Sequence, residues 1–230
     1  VLDEPQILLV DGDDINLYDS GEIWHLLDYR MHMPVTIVDR DNLGGIDWNR
    51  YTHIVFPSGN YEDYLPDFAG RLRLWVAEGG AAVAFRDAVP WLRATTLDYV
   101  DPESEEGIAA AAAMEPDEPG DPVERSLYDD KDRLEAMDII GGAIFAADMD
   151  ITHPLGFGYA ERDIFLHKNV EAPMEPTANP FGTVIAFSDD PVVSGYVSAD
   201  NVEALAGTPA LIAERSGGGS IILFSDNPNF

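Results

Sequence analysis

Four short apolar runs alternate with helix-like segments over the first hundred residues, and this rhythm constrains the chain more than any other feature. Residues 6–10 (QILLV) end in the polar loop Asp11-Gly12-Asp13-Asp14, which is how a buried parallel strand meets its crest loop. Asp19 precedes Glu22 by three residues, as in a capping box, and Ile23, Leu26 and Leu27 then recur at helical spacing as far as Arg30. Residues 34–38 (PVTIV) read as a second strand and 53–56 (HIVF) as a third, broken by Pro57-Ser58-Gly59. Phe68, Leu72, Trp75 and Val76 share one helical face, with Pro66 near its start and Gly79-Gly80 at its stop. Residues 81–85 form a fourth strand, and 88–92 open a helix in which Pro90 is tolerable only in the first turn. This alternation predicts an α/β fold, a doubly wound and mostly parallel sheet.

Residues 101–138 break the rhythm with fourteen acidic residues against three basic ones and four prolines. They are expected to form an acidic insertion on a single domain spanning 1–230, with a helix-prone run at 108–114. The second half is strand-rich, with strands expected at 139–145, 164–167, 183–187, 192–197, 211–214 and 220–224 and a helix near 200–206. Gly217-Gly218-Gly219 supplies a hairpin before the last strand.

The 230 residues carry 43 acidic and 13 basic side chains, a formal charge of −30. That balance repels nucleic acid phosphates and anionic lipids, so neither nucleic acid nor membrane is an expected partner. Lys131 and Lys168 are the only lysines, which leaves arginine as nearly the only counter-charge and suits a saline habitat. The chain has no cysteine, so disulfides, thiolate metal sites and thiol nucleophiles are excluded. It starts at Val1 and has no apolar stretch near the roughly 20 residues of a membrane helix, and is expected to be a soluble segment of a longer polypeptide.

Several phrases stand in order along the chain: YDSGEIWHLLD (18–28), GAIF (142–145), THPLGFGY (152–159), SGY (194–196) and ILFSDNPNF (222–230). Together they resemble the C-terminal domain of a group of bacterial zinc carboxypeptidases, a domain with a class I glutamine amidotransferase-like, flavodoxin-like fold. In that family the polypeptide continues past the final phrase, which implies a segment cut at both ends. The resemblance implies a non-catalytic accessory domain that packs on or modulates the catalytic peptidase domain of the same polypeptide. It places the zinc in that other domain, no cofactor in this one, and the protein in the periplasm or outside the cell.

In an active amidotransferase-like fold a cysteine stands on the strand-to-helix turn, facing a glycine-rich oxyanion loop. Here that turn reads Phe85-Arg86-Asp87-Ala88, so Arg86 and Asp87 mark a degenerate elbow, and Ser58 with Gly59 a degenerate oxyanion loop. His153-Pro154 resembles the His-Pro of active members, but Leu155 replaces the orienting glutamate, and a loop-fixing histidine is the simpler reading. His25 and Asp28 mimic metal-ligand spacing yet lie one helical turn apart, where surface pairing explains them. Asp11, Asp13, Asp14 and Asn16 offer oxygens to a cation but lack the EF-hand order. The four tryptophans are spread over separate elements, as core aromatics are.

Two alternatives to the accessory role stand. One is a small-ligand or cation-binding module at the carboxyl edge of the sheet, with Asp11, Ser58, Arg86, Asp87 and His153 converging on a pocket. The other is a stand-alone hydrolase that uses Ser58, Asp87 or His153 in place of cysteine. The charge itself yields a prediction. Added salt screens the self-repulsion, so the melting temperature rises from low to molar NaCl, by about 2–4 °C for each kcal/mol of repulsion removed. A thermal melt at constant pH checks this, and a flat or falling profile contradicts it.

Overall fold

In a computed structural model, the described residues are 4–61, 66–105, 109, 126–170 and 172–229. The helix-prone run expected at 108–114 lies largely outside them. Of the acidic insertion, the described part ends in a short helix at Lys131–Asp138 (α4).

The first four strands form where the apolar runs predict them: β1 (Ile7–Asp11), β2 (Val35–Asp39), β3 (His53–Phe56) and β4 (Ala81–Phe85). Helices α1 (Leu17–Trp24), α2 (Pro66–Ala77) and α3 (Ala88–Thr95) alternate with them. Asn16, rather than Asp19, caps α1, since its side chain accepts from the Tyr18 and Asp19 amides at 3.0 and 3.3 Å. Asp19 lies inside the helix and is buried, which corrects the capping-box reading. Beyond Trp24 the helix widens into a π-helical segment, His25–Arg30.

The second half departs further from expectation. Strands β5 (Ala143–Met149), β6 (Asp163–Lys168), β7 (Thr183–Ser194), β8 (Pro209–Ser216) and β9 (Gly219–Phe224) join the same sheet, with α5 (Ala199–Leu205) between β7 and β8. The pieces expected at 183–187 and 192–197 merge into the single bulged strand β7.

The sheet runs β2-β1-β3-β4-β9-β8-β7-β5-β6. Pairings from β2 across to β9 are parallel, and those from β9 across to β6 are antiparallel. The expected doubly wound, mostly parallel, flavodoxin-like sheet is therefore corrected to one large mixed sheet. The reason lies in the connections. A parallel pair needs a helical crossover, whereas β8 turns directly into β9 at Gly217-Gly218 and must run back beside it.

Alternate residues of the parallel strands face two layers. Leu8, Val10, Ile54, Phe56, Ala82, Ala84, Ile221 and Leu223 pack under α2 and α3 with Leu72, Trp75 and Leu92. Ile7, Leu9, Val55 and Phe85 pack under α1 with Ile23. Full burial of a leucine or isoleucine here contributes about 1.5–3 kcal/mol. Trp48 and Trp75 are core aromatics as expected, their indoles donating to the Leu43 and Trp48 carbonyls, but Trp24 is exposed and Trp91 half-buried.

At the start of β9 the backbone passes so close to α2 that a Cβ on Gly219 would strike the carbonyl oxygens of Val76 and Gly80. Gly219→Ala is expected to cost about 1–3 kcal/mol, the range for overpacking. Gly44→Ala, where a Cβ meets nothing within 4 Å, should stay within about 0.5 kcal/mol. Urea unfolding of the two variants measures the difference.

Candidate functional site

The crest loops after β1 and β3 are zipped together at the carboxyl edge. The Asn16 amide donates to the Ser58 carbonyl at 2.8 Å, and the Asn60 amide to the Asp14 carbonyl at 3.0 Å, with Ile15 and Gly59 bridging between. Gly59 is required there, because a Cβ would meet the Asp14 carbonyl at 2.7 Å. Arg40 clamps both loops from outside, donating to the Asn60 carbonyl at 2.6 Å and pairing with Asp14 at 3.4 Å.

Beside this pair of loops lies the turn from β4 into α3. Arg86 occupies it at φ 52°, a left-handed conformation that costs a non-glycine residue of order 1–3 kcal/mol. Asp87 follows at the helix N-terminus but makes no side-chain cap. Instead its carboxylate accepts the Ser58 hydroxyl at 2.5 Å. The loop after β3 and the turn after β4, expected as a degenerate oxyanion loop and elbow, thus meet at one short charge-assisted hydrogen bond.

An open cleft of about 1050 Å³ spreads from this pair, walled on one side by the crest loops and on the other by Pro90, Trp91 and Ala94 of α3. Asp87, Trp91 and Ala94 stand at helical spacing, which puts them on one face. Trp91 stacks on Tyr61 with ring centres 4.9 Å apart, and Tyr61 is held by its hydroxyl on the Pro57 carbonyl at 2.9 Å. Carboxylate, amide and hydroxyl groups of Asp14, Asn16, Asn60, Ser58 and Asp87 complete the lining. The sequence reading missed Asn60, Tyr61 and Trp91. The spacing of Trp91 from Asp87 was the signal that could have found it.

The other residues expected in the pocket go elsewhere. Arg86 turns towards α1, donating to the buried Asp19 at 3.3 and 3.4 Å and approaching Asp226 at 3.8 Å. Asp11 accepts from the Ser20 hydroxyl at 3.1 Å. His153 lies after β5, outside the cleft lining, and its ring Nδ1 accepts the Leu155 amide at 3.2 Å, so it fixes its own loop. The oxygens of the first crest loop are dispersed, with Asn16 capping α1 and Asp14 on Arg40. Among the described residues no group of three or more His, Asp or Glu is placed to hold a metal ion. His25 stacks on Tyr29 at 5.1 Å.

Asp19 is the hub of a second polar set. It and Glu22 both accept from the Asn227 side-chain amide, at 3.0 and 2.8 Å. Burial raises the Glu22 carboxyl above its ordinary value, the Asp19 carboxylate adds to this, and Arg86 opposes it.

No protein-family model matches the chain, and no curated protein does. Among solved structures it is similar to a ThuA-like protein from Parabacteroides merdae, with TM-score 0.52 and 14% identity over 99% of this chain and 84% of that one. It is also similar to the β-galactosidase from Bacillus circulans sp. alkalophilus, with TM-score 0.45 and 12% identity over 98% of this chain, which spans 29% of the galactosidase. A cytoplasmic protein of Salmonella typhimurium matches with TM-score 0.47 and 14% identity over 96% of this chain and 87% of that one.

The resemblance to a zinc carboxypeptidase domain is overturned, since no protein-family model matches the chain and the ThuA-like protein of Parabacteroides merdae is similar to it over 99% of its length. The class I amidotransferase-like fold assigned through that resemblance, and the non-catalytic accessory role, fall with it. The mixed sheet is the physical counterpart of the correction.

The raised Glu22 carboxyl gives a pH prediction. A carboxyl whose folded pKa lies above its unfolded one weakens the fold while ionised, so the penalty is present at neutral pH. It fades as pH falls through the folded value and is gone below the ordinary 4.5. Glu22→Gln, which still accepts from Asn227, should therefore melt higher than wild type at pH 7, with the difference vanishing below pH 4.5. Paired melts across pH check it.

Proposed function

We propose that the domain binds a small, neutral, polyhydroxylated ligand, a carbohydrate by chemical class, in the crest cleft. The observation that carries this is the half-buried Trp91 ring lining the same open, acceptor-rich cleft as the Ser58–Asp87 pair. A sugar ring presents apolar C–H faces and a rim of hydroxyls. The indole takes the first, and carboxylates and amides take the second. Asp14 and Asp87 both line the cleft, so an anionic ligand would meet like charge. Open α/β sheets bind ligands at this edge in general.

A second reading, hydrolysis of the bound ligand, is favoured by the 2.5 Å Ser58–Asp87 contact. A hydroxyl whose proton already points at a carboxylate is where general-base activation of an oxygen nucleophile begins. In that reading Asp87 takes the Ser58 proton as Oγ bonds to the substrate's electrophilic carbon, the proton passes to the alcohol that departs as its bond to that carbon breaks, and water then releases the bound group and restores the Ser58 hydroxyl.

Calorimetric titration with glucose, galactose and their disaccharides tests the first reading. Asp87→Asn and Trp91→Ala should each weaken binding about tenfold or more, roughly 1.4 kcal/mol. Absence of binding by the wild type, or wild-type affinity in both variants, rejects it. For the second reading, turnover of nitrophenyl glycosides and esters should vanish in Ser58→Ala while sugar binding persists; turnover unchanged in that variant eliminates Ser58 as nucleophile.

A further inference from the structure

We infer that Arg86 is a positioning residue for the cleft: anchored on Asp19 and Asp226 beneath α1, it fixes the left-handed turn that presents Asp87 to Ser58. The inference rests on the proposed ligand site and names what sets that site's geometry.

The elbow sends its two side chains in different directions. Asp87 reaches the Ser58 hydroxyl at 2.5 Å on the α3 side, while Arg86 reaches Asp19 at 3.3 Å on the α1 side. Between them the backbone is held at two points. The Arg86 amide donates to the Phe224 carbonyl at 3.0 Å, and the Arg86 carbonyl accepts the Val89 amide at 3.0 Å. Those bonds hold the two peptide planes that flank Arg86, and its side-chain anchor on Asp19 is a third hold on the same residue. A residue at φ 52° persists only where its surroundings over-determine it.

The anchor itself is built for rigidity. Asp19 is 1% exposed, Asp226 is nearly buried, and the Arg86 side chain is 13% exposed. Asn227 ties Asp19 to Glu22 from the turn after β9, and the Asp226 carboxylate is itself held by the Asn169 and Asn227 amides at 2.9 and 2.8 Å. A buried charge released from such a set does not relax in place, because the remaining carboxylates are then unbalanced. The turn moves instead, and Asp87 is one bond away from it. Ser58, by contrast, is fixed independently through its carbonyl to Asn16. Loss of the anchor therefore separates the two members of the pair.

Arg86→Met tests this, since methionine keeps the aliphatic stem and the strained left-handed turn and removes the guanidinium. Asp19→Asn is the second variant, preserving shape and removing one anchor charge, should Arg86→Met fail to fold. In crystal structures of the variants, the Ser58 Oγ to Asp87 contact should open beyond hydrogen-bond reach. The backbone NMR signals of Ser58 and Asp87 should shift, and titrated galactose and glucose should bind at least about fivefold more weakly. A merely stabilising arginine would lower the melting temperature while leaving contact, signals and affinity intact, and that result in the folded variants overturns the inference. If the wild type binds no sugar, the ligand reading fails on its own, and the contact and signals in the variants still decide the role of Arg86.

Discussion

Strand β9 joins two sheets' worth of chemistry into one. On one side it lies parallel to β4, and on the other antiparallel to β8, so the parallel and antiparallel halves meet on a single backbone. Removing it would leave the hydrogen-bonding edges of β4 and β8 unpaired in the middle of the molecule, which neither half could afford. The close passage of Gly219 under Val76 and Gly80 lets the strand enter, and Phe224 stacking on Phe85 at 4.9 Å seats its far end. Immediately beyond, residues 225–229 turn back over the crest and deliver Asp226 and Asn227 to Arg86 and Asp19. The polar set at the elbow is therefore a consequence of where β9 ends.

Burying Asp19 would ordinarily be unfavourable, since desolvation of a carboxylate can exceed what a single counter-charge returns. Here Arg86 and the Asn227 amide both donate to it, so the buried oxygens are satisfied from two elements distant in sequence. The neighbouring Glu22 carboxyl is raised first by its own burial and then by the Asp19 carboxylate. The same arrangement removes Arg86 from the cleft. With its cation on the α1 side, the α3 side keeps Asp87 and Asp14 as its charged groups apart from Arg40 at the rim.

The first half of the fold was legible because each strand is bounded by its own punctuation: Asp11-Gly12 after β1, Pro57-Ser58-Gly59 after β3, Gly79-Gly80 before β4. Strand direction in the second half was not, since an apolar pattern such as residues 183–187 says which residues are buried and not which way the neighbour runs. That is set by the connections, and only the glycine turn before β9 was readable as a reversal. At the site, Ser58 and Asp87 could be placed at one edge because each follows its strand directly. Arg86 was misassigned because its partner Asp19 lies 67 positions away, and Asn227 is 208 positions from that same residue. Asp19 was further disguised, since Asn16 three residues before it does the capping that Asp19 seemed suited to.

The charge of the whole chain bears on what the cleft can select. At −30, with Arg40, Arg71, Arg86 and Arg93 engaged on carbonyls, carboxylates and an aromatic face, the molecule surrounds the crest with negative potential. Besides Arg40 at the rim, a local counterweight is the N-terminus of α3, whose dipole falls beside Asp87. Under the proposed ligand reading, phosphorylated or acidic sugars are repelled at long range and again at contact. A neutral polyol suffers neither cost, and its hydroxyls find acceptors already oriented by the zipped loops. Selection by charge thus precedes selection by shape, and screening by salt relaxes the first without touching the second.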